Sequence, residues 1–292
     1  MSQGQSQAGA GACGGGGMRR PHTVTAWIVW GAVLFFMLNL AGVVGSVLVS
    51  SFGRQWFDTW LPQGYTTSWY AQAWDEFGLL HVLLVTLEVS LAVVVVSLLL
   101  GVPAAYVLAR RRFPGQRLVY LAFLLPILMP PMTYGIPLAT VLYKYDLAGH
   151  LSGVILANLV PSVPFVILTM TPFIEQIDPA IERAARMCGA GTLQVFGRIL
   201  APLLVPGILA ASILVLVRTI GMFELTFLTA DEESSTLVVK LYAEMASPGI
   251  RAQQSIDAMA VVYTASMLVL LVLALRIVNP TQLVARVKEE VD

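Results

Sequence analysis

The stretch EQIDPAIERAARMCGAGTLQVFGRILAPLLVPG, Glu175 to Gly207, decides how this chain is read. It is the one long polar break among apolar runs, and it carries its own start and stop signals. Asp178-Pro179 is a strong helix start: an acceptor side chain at the cap, then a proline at the first helical position, where a missing N–H is no loss. Ile181, Ala184, Ala185 and Cys188 then recur at helical spacing and give one short, small-residue face. Gly189 and Gly191 can stop that helix. Thr192 can cap a second one, running through Val195, Phe196 and Ile199 into Pro202.

What surrounds this stretch is apolar. The 292 residues are 57% hydrophobic and 12% charged, which places the chain among polytopic membrane proteins. The net charge of zero gives a nucleic-acid partner no electrostatic basis. Cys13 and Cys188 have neither the spacing of a disulfide nor that of a metal site. Residues 1–17 are Gly, Ala, Gln and Ser and are expected to be a disordered tail, to about residue 18. An N-terminal span from Pro21 to Gly53 and an aromatic segment, 54–78, follow; its tryptophans and tyrosines read as an interfacial belt. Further spans are expected over Leu79–Ala109, Leu118–Val141, Leu151–Phe173, Leu203–Phe227 and Ala258–Val278, with a polar tail over 279–292. The expected fold is an all-α polytopic membrane protein with six transmembrane helices, a five-helix core at 79–278 plus one N-terminal helix.

Lys and Arg in the connections set the orientation. With the N-terminus inside, the inner segments carry Arg19, Arg20, Arg110, Arg111, Arg112, Arg117, Arg183, Arg186, Arg198, Arg276, Arg286 and Lys288. The outer segments carry only Arg54, Lys144, Lys240 and Arg251. Both termini, and the Glu175–Gly207 loop, are therefore expected in the cytoplasm.

The loop resembles the signature of the membrane subunits of binding-protein-dependent ABC importers: Glu-Ala-Ala, three residues, Gly, nine residues, then Ile-x-Leu-Pro. Ala184, Ala185, Gly189, Ile199 and Pro202 fall on it in register. Arg183 stands where the glutamate is usual, with Glu182 one place earlier, and Ala201 stands where leucine is usual. The resemblance implies a permease subunit of the type I importer fold in a bacterial inner membrane, with this loop as a coupling helix that inserts into a cytoplasmic ATPase. It implies as partners a second membrane permease subunit, related or identical, two ATPase subunits and an extracytoplasmic solute-binding protein. The alternative for the loop is an ordinary amphipathic hairpin between two spans.

Prolines and charges inside spans are the next signal. Pro126, Pro130, Pro131 and Pro137 crowd the third span, which Pro126, Pro130 and Pro131 are expected to break, and Pro161 and Pro164 are expected to break the fourth. Broken backbone at membrane depth needs protein or water around it, so these segments are expected to line the bundle interior, or else to shape packing only. The third-span run also resembles the polyamine, ferric-iron and phosphonate branch of the importer family, which implies a polyamine or similar small solute. Intramembrane charges are rare and mark pathways or partners. Glu88 and Arg218 each lie nine residues from an expected span end, so roughly 14 Å deep, and are candidates for a pair or for contacts with the partner subunit. Glu224, about one turn from a span end, is a pathway candidate or a snorkelling side chain.

The sequence has no phosphate-binding Gly-Lys-Ser/Thr loop, so ATP is expected to be bound by the partner ATPase and not by this chain. His22, His81 and His150 make no ligand spacing, and no nucleophile has a paired base, so neither a metal, a cofactor nor an enzyme activity is expected. The rival readings are an ATP-independent transporter or channel, and a membrane enzyme or signalling scaffold.

Overall fold

Residues 23–55, 62–247 and 252–277 are described by a computed structural model, and they are almost entirely helical. The chain divides into two compact units, Met1–Ser46 and Val47–Asp292. The described part of the first belongs to helix α1, Thr23–Phe52, whose stretch Ala26–Phe52 is long and apolar enough to cross a bilayer. The expected tails, 1–18 and 279–292, fall outside the described residues, as do Trp56 and Trp60 of the aromatic segment.

In the second unit, α2 (Ser68–Glu76) leads into α3 (Leu79–Arg110). Next come α4 (Gln116–Leu128), α5 (Pro131–Lys144) and α6 (Leu151–Glu175). The polar stretch forms α7 (Pro179–Met187), α8 (Thr192–Val195) and a π-helical turn, Phe196–Leu200, which continues directly into α9 (Ala201–Ile220). Short α10 (Glu224–Thr229) and α11 (Leu237–Ala246) precede the final span, α12 (Gln253–Ile277).

The centre of the bundle is α3, α6 and α9. Val89 and Val93 of α3, Ile167 and Met170 of α6, and Leu204 and Val215 of α9 are buried together. Lipid is as apolar as these side chains, so their transfer from it contributes little, and helix pairing rests on close approach and packing. Glycines supply that approach. A Cβ on Gly101 would lie 2.6 Å from Val166 Cγ1, and one on Gly207 would lie 2.8 Å from the Phe173 ring. Ser90, Thr171 and Thr219 are buried in the same layer and satisfy their hydroxyls on the carbonyl four residues back.

Directions follow from these contacts. Gly101 meets Val163 and Val166, while Arg110, at the end of α3, reaches Ile177 just past the end of α6. The two helices therefore run parallel, and the chain between them crosses the layer once. That crossing is α4 plus α5, two halves of roughly 20 Å each, bent by 98°. The third span is thus a broken one, with its break at Pro130-Pro131. The cause is Pro130-Pro131: each proline forces the residue before it into extended backbone, and Met129 (ψ 141°) and Pro130 (ψ 134°) both comply. Pro126, expected as a break, sits instead within the last turn of α4, and Pro137 sits within α5. Five unbroken helices and this broken pair give six candidate crossings among the described residues.

Two further expectations change. Pro161 and Pro164 do not break α6, which runs unbroken from Leu151 to Glu175 with both prolines buried. Neighbouring helices hold a proline-bearing helix in shape at membrane depth. The fifth span ends at Ile220 and does not reach Phe227, because the helix stops at Gly221 and restarts at Glu224.

The aromatic segment is partly structural. The Trp69 indole N–H donates to the Gly53 carbonyl, 2.8 Å, and Tyr70 shares a hydrogen bond with Ser51, while Tyr65 and Trp74 remain exposed. The end of the bundle opposite Arg110 is closed by loops. Gly149 N–H donates to the Thr229 carbonyl, Leu237 N–H to Thr86 Oγ1, and Ser234 Oγ to the Gly149 carbonyl.

Candidate coupling site

The site is built at the Arg110 end of the bundle. The Asp178 side chain accepts from Ala180 N–H at 2.7 Å, and Pro179 opens α7. The helix closes with a Schellman motif: Ala190 N–H donates to the Ala185 carbonyl, and Gly189 N–H to the Arg186 carbonyl. Gly189 takes φ +84°, the left-handed region that glycine enters freely. Thr192, expected as the next cap, is instead the first helical residue; Gly191 precedes it, and its N–H donates to Gln194 Oε1.

Nothing lies within 4 Å of a Cβ built on Gly189, so conformation alone restricts that position. Gly189→Val is therefore expected to cost about 1–2 kcal/mol locally, as a β-branched residue in left-handed backbone. Gly189→Asn should cost far less, because asparagine tolerates that region. Uptake by the two variants at matched membrane expression checks this; equal loss would mean that shape, not backbone angle, matters at 189.

Beyond Val195 the helix widens. Ala201 N–H donates to the Phe196 carbonyl, five residues back, just ahead of Pro202. Pro202 has no N–H to give and its ring crowds the carbonyl four residues earlier, so a wide turn relieves both. Ile199 is half-buried in that turn, and Pro202 is exposed.

The faces of α7 are distinct. Ile181, Arg183, Ala184, Met187 and Cys188 are exposed, with Met187 85% exposed, while Arg186, also exposed, reaches back toward the Tyr106 hydroxyl. Leu193, across the Gly189 turn, is 86% exposed. Glu182 and Ala185 point inward: Ala185 packs against the bundle, and Glu182 is buried. A shift of one position turns a helical side chain by about 100°, which is why Glu182 and Arg183 part company. The inward carboxylate has two partners: Arg110 Nε donates to Oε1 at 2.7 Å, and the Tyr106 hydroxyl donates to Oε2 at 2.8 Å. Arg110 also donates through Nη2 to the Ile177 carbonyl, and Tyr106 meets the Phe196 ring edge-on at 5.6 Å. Sequence reasoning missed Tyr106 and treated Arg110 only as part of a basic turn. The usable signal was their spacing of four, which puts both on one face of α3.

Glu88 and Arg218 do not come together, whereas Arg218 and Glu224 both lie near the Tyr134 hydroxyl. Arg218 lies with its guanidinium over the Phe165 ring, 5.4 Å away, and no carboxylate pairs with it among the described residues. Glu88 is exposed on α3, in a stripe with Leu84, Leu91 and Val95. Registering both on α6 gives their levels. Arg218 is level with Phe165, as Gly101 is with Val163 and Val166, and Glu88 lies roughly 20 Å from Gly101 along α3. The expected intrachain pair is corrected on that ground: equal depth depended on a fifth span reaching Phe227. Glu224 opens α10, half-buried, beside an aromatic group in which Phe223 meets Phe227 at 5.1 Å and Tyr242 at 4.8 Å.

Residues 97–282, covering the bundle and the α7 site, match the family described as the binding-protein-dependent transport system inner membrane component. The chain belongs to that family. Like its relatives, this permease is a non-catalytic membrane subunit. It is 31% identical over 182 residues to the molybdenum transport system permease protein ModB of Escherichia coli K12, covering 57% of this chain and 80% of ModB. It is 35% identical over 151 residues to the probable sulfate transport system permease protein cysT of Chlorokybus atmophyticus, 48% of this chain but only 53%, about half, of that protein. Sugar-transport permeases stand among its relatives too. A chain of a bacterial alginate ABC transporter, solved in complex with an alginate pentasaccharide-bound periplasmic protein, shares the fold: TM-score 0.67, 16% identity, 87% of this permease and 95% of that chain. The polyamine expectation is not supported, since these relatives are named for molybdenum, sulfate and sugars.

Proposed function

We propose that this permease forms one half of a solute pathway through the bacterial inner membrane and is driven by an ATPase docked on α7. The observation that carries the reading is the exposure of apolar Ile181, Met187 and Leu193 on α7 and across the Gly189 turn, with Arg183, Arg186 and Arg198 exposed on the same stretch. A solvated loop has no use for such exposed apolar side chains, whereas a cytoplasmic groove with an acidic rim does. The basic residues Arg110, Arg111, Arg112, Arg117, Arg183, Arg186 and Arg198 cluster at the Arg110 end, so that end faces the cytoplasm. The partners are two ATPase subunits, a second permease subunit and an extracytoplasmic binding protein. Glu88 stands in an exposed apolar stripe toward the outer end of α3, and that face turns toward the pathway or the second permease.

The solute we favour is an anion. Arg218, level with the middle of the bundle and lacking a carboxylate partner among the described residues, repels a polycation and suits an anion. The named solutes of ModB and cysT point the same way, while the sugar relatives make a saccharide the second reading. Uptake into proteoliposomes holding the assembled complex tests this with sulfate, molybdate, spermidine and a disaccharide. ATP-dependent uptake of sulfate or molybdate, reduced at least tenfold by Arg218→Ala, is the expected result, a loss of about 1.4 kcal/mol or more. Uptake of spermidine alone would overturn the anion reading.

A further inference from the structure

Glu182 is the acid of the coupling loop, yet its carboxylate faces away from the docking face. We propose that Arg110, Glu182 and Tyr106 form a positioning latch that fastens α7 to α3, so that a pull on α7 reaches the transmembrane bundle. The proposal rests on the reading that α7 docks the ATPase.

The geometry is that of a fastening. Helix α7 has nine residues, too few to be stable alone, and it hangs between the Gln176–Asp178 turn and the left-handed Gly189. Its inward packing is slight, with Ala185 and Ala190 the small apolar contributors. The polar tie is correspondingly strong. One guanidinium holds the Glu182 carboxylate and the Ile177 carbonyl together, which a planar fork does and a lysine does not. The side chains of Arg110 and Glu182 are only 12% and 8% exposed, so solvent and salt screen the pair weakly. Among the described residues, the other ion pairs are those of Lys240, on α11.

The latch also has somewhere to send force. It grips the last turn of α3, and α3 is keyed to α6 at Gly101, where a methyl group would collide with Val166. Those three helices are thereby one body. The chain leaving α7 instead enters α9 through the π turn, whose Phe196 ring rests against Tyr106. The latch thus separates a rigid arm from a deformable one.

The test uses the complete complex in proteoliposomes, with Glu182→Gln, Arg110→Lys and Tyr106→Phe. The first two are expected to keep the ATPase copurifying at wild-type stoichiometry and still hydrolysing ATP. Solute moved per ATP should fall about tenfold, within the usual range of coupling between two sites. Tyr106→Phe should fall less than either. A spin label on Cys188, in the full-length permease with Cys13→Ser, should become more mobile in Glu182→Gln without the ATPase present. Loss of the ATPase from Glu182→Gln but not from Arg110→Lys would make Glu182 a docking contact and overturn the latch. Unchanged label mobility, or an unchanged ratio of solute to ATP, would overturn it as well. Retention of the ATPase by both Met187→Glu and Leu193→Glu would sink the docking reading instead, and the label would still report on the latch.

Discussion

Met187→Glu is expected to abolish ATP-driven uptake while leaving the permease folded in the membrane. The side chain is 85% exposed at the last turn of α7, so a carboxylate there stays hydrated in the free subunit and its stability should not change. Docking alters the balance. A methionine fills an irregular apolar groove easily; a carboxylate brought into the same groove loses its water and gains no partner. A central interface residue contributes about 2–4 kcal/mol, which is roughly 30-fold to 1,000-fold in affinity. Leu193→Glu, across the Gly189 turn, should behave alike, because both side chains flank the same tip. Tyr143→Glu, an exposed position at the far end of α5, should leave the ATPase bound. Copurification of the ATPase with each variant decides the matter. Retention by both Met187→Glu and Leu193→Glu would move the docking site elsewhere.

Much of this site was legible because its signals are local. Asp178-Pro179 fixes the start of α7 by hydrogen bonding and φ, and Gly189 fixes its end by a backbone angle. Neither depends on what α7 packs against. The fold was legible to the same extent: hydropathy places the spans, and charge at the connections alternates their direction. Helix interruptions were read unevenly, for a physical reason. A proline removes one donor wherever it stands, but whether the helix breaks depends on its neighbours. Pro130-Pro131 breaks the third crossing because two successive residues are forced into extended backbone. Pro161 and Pro164, three apart and both buried, are absorbed. The pairing of Glu88 with Arg218 failed because it rested on a span end, the least certain quantity in a sequence, and the true break at Gly221 moved it. The Arg110–Glu182 bond joins residues 72 apart, and no local pattern points across that interval.

Gly153→Ala is expected to be the most damaging single methyl group in the core. Gly153 lies in the first turn of α6, and its backbone angle is ordinary, so nothing in the sequence separates it from a replaceable helical glycine. In the exposed interior of a helix, alanine would improve matters by about 1 kcal/mol. Here the added Cβ would collide with the Leu147 carbonyl oxygen and stand 3.2 Å from the Ala148 Cα. Both obstacles are backbone, which cannot swing aside as a side chain does. The loop that carries them is also pinned. Leu147 and Ala148 N–H both donate to the Leu142 carbonyl, and Gly149 N–H donates to the Thr229 carbonyl. Asp146, just before, already holds a positive φ of 55°, so the turn has little freedom to rotate away. Relief requires α6 to move off the loop, which would disturb the buried Val154 and Ala157 contacts one turn below. Overpacking of this kind costs about 1–3 kcal/mol, and more when backbone is the obstacle. Gly101→Ala should cost less, although its Cβ would also be crowded, because Val166 Cγ1 is the end of a side chain. Thermal unfolding of the detergent-solubilised permease, followed by loss of monodisperse protein on gel filtration, ranks the two. A Gly153→Ala variant as stable as the parent would mean that the α5–α6 turn is not held as the hydrogen bonds indicate.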